Sequence, residues 1–252
     1  MKKSVLFLSS CAALLLLGCS TQPKETHTSL AEASKLADLN VRMAVEYMNK
    51  GENETALKRL KTALDYDPRY GLAHSTLGIL YARLGEIKDA EKHFKRSVRS
   101  EPNNGRLLNN YGQFLCAQNR THDGLAMFDA AASKPLYRTP QFAHSNAGIC
   151  ALRDNPELAE NHFRAALRID PRLVPALFYM ASLNQSQGKF LKARDYLKRY
   201  RAVARPTAQS LWLSIQIERQ LGNHDSVASD ELSLREFFPD SEEAQLLQSE
   251  GQ

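Results

Sequence analysis

Six positions in this 252-residue chain recur at nearly constant spacing. Pro68, Pro102, Leu136, Pro171, Arg205 and Pro239 follow one another at intervals of 34, 34, 35, 34 and 34 residues. Ala56, Ala90, Gly124, Ala159, Ala193 and Val227 are small or compact and keep the same intervals. Leu60, Phe94, Phe128, Phe163 and Leu197 supply a large apolar side chain in phase with them, until Glu231 breaks the series. Gly51, Gly85, Gly188 and Gly222 share the phase, with Asn119 and Asp154 in the two missing places. A period of this length means one supersecondary unit that cannot bury its apolar face alone, so neighbours must stack.

The clearest unit is GLAHSTLGILYARLGEIKDAEKHFKRSVRSEP, residues 71 to 102. Gly78 and Ala90 let two helices approach, and Tyr81 and Phe94 fill the space between them. Gly85 supplies the left-handed turn that only glycine adopts cheaply, and Pro102 stops the second helix. This grammar resembles the tetratricopeptide repeat. The resemblance implies an all-α fold, a right-handed solenoid of about six helix–turn–helix units starting near residues 37, 71, 105, 140, 174 and 208. The sixth is degenerate, with Ser214, Glu218 and Glu231 at places expected to be bulkier or apolar. That reads as a polar cap, finished by a short helix at 241–249.

The N-terminus is a separate matter. Lys2 and Lys3 precede an apolar segment from Val5 to Leu17, which is a secretory leader and too short to span a bilayer stably. It ends Leu16-Leu17-Gly18-Cys19, which resembles the lipobox of bacterial lipoproteins. The resemblance implies a leader over 1–18 and acylation of Cys19, and Ser20 after it favours the outer membrane. Several acyl chains, at ~0.8 kcal/mol per buried methylene, make such an anchor effectively permanent. Residues 19–34 then read as a lipidated polar tether. About fifteen flexible residues reach roughly 20 Å, so the body, expected over 35–250, would face the periplasm close to the membrane.

In the middle of the chain NNYGQFLC (109–116), LYRTPQFAHSNAGIC (136–150) and VPALFYMA (174–181) resemble the type IV pilus biogenesis and stability lipoproteins, the pilotins of the PilF/PilW family. That resemblance implies a non-enzymatic protein that binds the pilus secretin subunit and promotes its outer-membrane localisation and multimerisation. Lipobox and repeats also suit a scaffold lipoprotein of another envelope machine, such as one for cell-wall synthesis or outer-membrane protein assembly.

With Cys11 in the leader and Cys19 acylated, Cys116 and Cys150 remain. In an oxidising periplasm two thiols are candidates for a disulfide. Cys116 lies four residues past Gly112 and Cys150 two past Gly148, a difference of about 200° around a helix. One then points forward and the other back, as a bridge between neighbouring helices needs; two buried thiols are the alternative.

Other chemistry is scarce. The chain has no G-x-S-x-G, P-loop, H-E-x-x-H or C-x-x-C pattern. His144 and His162 have no partner ligands in the sequence, so neither a metal nor a cofactor is expected. His93 and His224 read as surface residues of a helix and a turn. Without Lys2 and Lys3 the charge excess is three, too small to argue for nucleic acid. KARDYLKRYRAVAR (192–205) is strongly basic but falls on the second helix of the fifth unit, where a solvated face is the simplest reading. The remaining candidate is the concave face formed by the first helices of the units. It is expected to carry Val41, Val45, Met48, Leu72, Ser75, Ile79, Ala82, Arg106, Asn109 and Gln113 as a groove for an amphipathic or extended peptide, the alternative being that the tether or a preceding helix covers it. The expected state is a monomer, because the terminal units cap themselves.

Overall fold

Each repeat unit folds as two helices closing on shared apolar side chains, and in the second, third and fourth units one of these is a phenylalanine ring. A computed structural model describes residues 29–250, and these form thirteen α-helices. The first helices of the units are α1 (Leu30–Asn49), α3 (Gly71–Arg83), α5 (Gly105–Ala117), α7 (Pro140–Ala151), α9 (Val174–Ser186) and α11 (Ala208–Gln220). Their partners are α2 (Asn53–Tyr66), α4 (Ile87–Ser100), α6 (Thr121–Ala132), α8 (Pro156–Ile169), α10 (Phe190–Arg201) and α12 (His224–Phe237), and α13 (Glu242–Glu250) closes the chain. The described residues contain no strand, and the fold is an all-α solenoid of tetratricopeptide units.

Phe94, Phe128 and Phe163 are almost fully buried, each worth roughly 1.5–3 kcal/mol of apolar burial. Each ring lies against a glycine of the preceding helix: a β-carbon at Gly78, Gly112 or Gly148 would come within 2.5–2.8 Å of the ring. The turns behave as their residue types require. Gly51, Gly85, Gly188 and Gly222 have positive φ, and Asn119 adopts φ of 59°. Asp154 does not take this role. It lies past the end of α7 and accepts hydrogen bonds from Arg153 Nε (3.0 Å) and Thr121 Oγ1 (2.8 Å).

Polar contacts close the second unit on itself and tie it to its neighbours. Ser97 Oγ donates to the Gly71 carbonyl (2.8 Å), while Glu101 accepts from the Gly71 N–H (2.9 Å) and from Asn104 Nδ2 (2.8 Å). Tyr70 OH donates to Asp38 (3.0 Å), joining the first two units.

Three expectations need comment. The tether expected over 19–34 is shorter at its far end, because Ser29 caps α1 through the Glu32 N–H (3.2 Å) and helix starts at Leu30. Cys19, the leader expected over 1–18 and tether residues 20–28 lie outside the described residues. The sixth unit is also not a simple polar cap: Ser214 and Glu218 are buried, for reasons given below.

Candidate protein-binding face

The first helices of successive units pack side by side in the order α1, α3, α5, α7, α9, α11, whereas the second helices stand further apart, α10 and α12 meeting through the Arg201–Asp230 pair. One row is close-packed and the other fanned apart. The fold therefore curves around its first helices, and their open flank is the inner face.

The seams between those helices absorb part of the expected groove. Val41 and Met48 are buried in a cluster with Ala37, Ala44, Leu77 and Leu80. Ser75 and Asn109 are buried too, each accepting an amide from the next unit: Asn110 Nδ2 donates to Ser75 Oγ (3.0 Å), and Asn146 Nδ2 to Asn109 Oδ1 (2.9 Å). These four residues hold neighbouring helices together and offer a ligand no surface. Leu72, Ile79 and Ala82 are half-buried, while Val45, Arg106 and Gln113 are exposed. Sequence reasoning missed Phe142 and Ile149, apolar and exposed on α7. Their signal was the single 35-residue interval, which sets α7 in a different phase from α5.

The same junction holds Cys116 and Cys150, joined as a disulfide with Cα atoms 5.6 Å apart. Here α6 packs along α7 more extensively than a second helix does at any other junction. Beside the bridge lies a cleft of about 480 Å³, lined by Gln113, Ala117, Asn146, Ile149 and Arg153 among others.

The basic segment expected to be a solvated face is half engaged: Arg194, Arg199 and Arg201 make contacts within the chain, while Lys192, Lys198 and Arg205 are exposed. Arg194 makes a bidentate pair with Glu218 (2.9 and 2.6 Å), and Arg201 reaches Asp230 (2.7 Å). Arg199 donates to the Pro171 carbonyl (3.0 Å). Glu218 and Asp230 are buried, so one departure from the repeat pattern in the sixth unit, Glu218, and the neighbouring acid Asp230 face arginines of the fifth. Glu231 likewise accepts from Arg219 (2.8 Å).

His93 is not a surface residue. It is half-buried, stacks on Tyr81 with ring centroids 5.4 Å apart, and lies Nδ1 to Nδ1 with His74 at 3.0 Å. His74 Nε2 faces the Pro68 carbonyl (3.2 Å), so the proton sits there and Nδ1 accepts from His93. Burial, then the neighbouring His74 and Arg96, pushes the His93 imidazole down to about 4. Burial also lowers His74, His144 and His162. His144 and His162 have ring centroids 6.1 Å apart. Among the described residues no group of three or more His, Cys, Asp or Glu side chains is placed to hold a metal.

Comparison with known proteins places this geometry. Family models described as TPR repeat and as tetratricopeptide repeat match residues 45–85 and 71–104. The type IV pilus assembly protein PilF of Pseudomonas aeruginosa is 29% identical over 243 residues, covering 94% of this chain and 95% of PilF. The crystal structure of PilW, a widely conserved type IV pilus biogenesis factor, superposes with a TM-score of 0.76 at 31% identity, covering 84% of this chain and 98% of PilW. The structure of Pseudomonas aeruginosa PilF gives the same TM-score of 0.76 at 28% identity, covering 86% and 99%.

Proposed function

The chain belongs to the PilF/PilW family of tetratricopeptide proteins of type IV pilus biogenesis, and from that premise we propose that it is the lipid-anchored pilotin of the pilus secretin. In this reading Cys19 carries the acyl chains that hold the protein at the periplasmic face of the outer membrane. The solenoid captures secretin subunits, promotes their arrival in that membrane and favours assembly of the ring. It acts by binding rather than by catalysis.

The observation that carries the reading is the open inner face. Val45, Gln113 and Ile149 are exposed there among half-buried Leu72, Ile79 and Ala82. Apolar and amide side chains held on rigid helices suit an extended or amphipathic segment of another protein. The stapled third and fourth units keep that face in one shape, so little ordering entropy is lost on binding.

The test is genetic and biochemical. Deleting the gene is expected to remove secretin multimers from the outer-membrane fraction, and the wild-type gene to restore them. Cys19→Ala should leave the protein soluble in the periplasm and the secretin mislocalised. Undisturbed multimers in the deletion strain would refute the proposal.

A further inference from the structure

We propose that the cleft between the α4–α5 turn and the α6–α7 loop is a second binding site, which takes a protein segment carrying a carboxylate beside an apolar side chain. The α6–α7 connection spans seven residues, 133–139, where three of the four other connections between units span four. The extra length opens a cleft of about 560 Å³ against the turn at 101–104. Single insertions into a repeat array map to loops on one side, and such loops often bind.

Three of the side chains there, Leu136, Arg106 and Arg138, are exposed. Leu136 stands where other units have Pro68, Pro102 and Pro171, and it is 89% exposed. Beside it Tyr137 is fixed, because its ring lies so close to Gly105 that a β-carbon there would overlap it. Arg106 and Arg138 are exposed on the cleft and neither forms an ion pair among the described residues. The one carboxylate lining the cleft, Glu101, is already committed to the Gly71 N–H and Asn104 Nδ2. Thr139 begins α7 without capping it, so its hydroxyl is free to bond a ligand.

Each of these two guanidinium groups presents a planar fork of donors, and a carboxylate is the group that satisfies such a fork bidentately. Leu136 and the Tyr137 ring then offer an apolar surface to the neighbouring side chain. Charge complementarity therefore points to an acidic, partly apolar peptide. The proposal does not rest on the secretin reading.

Fluorescence anisotropy of the purified full chain tests it. The probe is a labelled hexapeptide alternating glutamate and leucine, and the control replaces each glutamate with glutamine. The acidic probe is expected to bind saturably and the control about tenfold more weakly. Arg138→Gln and Leu136→Ser alter exposed residues, so melting should be unchanged while acidic-probe binding weakens by about fivefold or more. Val45→Asp and Ile149→Asp, on the inner face, should leave it unchanged. Absence of saturable binding, equal binding of the control, indifference to Arg138→Gln, or loss in the inner-face variants would each overturn the proposal. None of these results bears on secretin capture.

Discussion

Gly124 on α6 lies directly against the sulfur of Cys116 on α5. A methyl group on its α-carbon would overlap Sγ and would stand 3.1 Å from the Gly112 carbonyl oxygen. Ala56, Ala90, Ala159 and Ala193 occupy the equivalent place in other units and are fully buried. The glycine is therefore the counterpart of the disulfide, not a loose substitute for alanine.

Gly124→Ala should destabilise the oxidised protein by about 1–3 kcal/mol, the usual cost of overpacking. In a Cys116→Ala background the sulfur is gone and most of that cost should vanish. A double-mutant cycle on denaturant midpoints measures the coupling. Strict additivity would show that the two residues do not compete for the space.

The disulfide joins residues 34 apart across the third and fourth units. Cys150→Ser should cost about 2–4 kcal/mol, and the double variant with Cys116→Ser little more. Alkylation of the unreduced, unfolded protein followed by mass spectrometry should find both cysteines protected. Two labelled cysteines would contradict the structure.

Acid should destabilise the fold before its carboxylates titrate. Burial keeps His74, His93, His144 and His162 below the ordinary imidazole range, His93 down to about 4. Arg96 opposes protonation of His74 and His93, and Lys92 adds to it at His93. Asp67 favours protonation of His74, and Asp89 that of His93. Asp129 favours protonation of His144 and His162, and Arg168 opposes it at His144. Below about pH 6.5 the unfolded chain binds protons that the folded one refuses, so stability falls as pH drops towards 4. Above that window these groups contribute no slope. Unfolding midpoints between pH 7.5 and 4.5 should show the decline, and His93→Phe should flatten it. Parallel profiles for the two proteins would rule out His93 as a source.

Arg194 and Glu218 form a bidentate pair whose acid is only 9% exposed. Removing Arg194 strands the buried carboxylate, so Arg194→Ala should cost about 2–4 kcal/mol, whereas Glu218→Ala leaves an arginine that is 37% exposed and should cost less. Arg194→Met with Glu218→Leu should be close to neutral, since well-packed apolar residues replace such pairs without loss. Equal destabilisation by the single and paired variants would mean that packing, not charge, is what matters there.

The fold was legible because its determinants are local and repeat. Small residues at Ala90 and Gly78, an aromatic at Phe94 and a turn glycine at Gly85 serve within one unit, and their phase exposes them. The seams were harder to read. Asn110 with Ser75 and Asn146 with Asn109 meet across units, so their burial depends on helix rotation that a period does not fix. Glu218 looked like a degenerate core position because its partner Arg194 lies 24 residues away. His74 and His93 carry no spacing signal at all and are brought together only by the closing of α3 on α4.

In the proposed function the inner face of the solenoid grips the pilus secretin. Capture of purified secretin subunit by the immobilised chain tests it most directly, comparing wild type with the doubly substituted Val45→Asp, Ile149→Asp protein. Retention by wild type and loss in the variant at unchanged melting temperature are expected. Equal retention by both, or by neither, would contradict it.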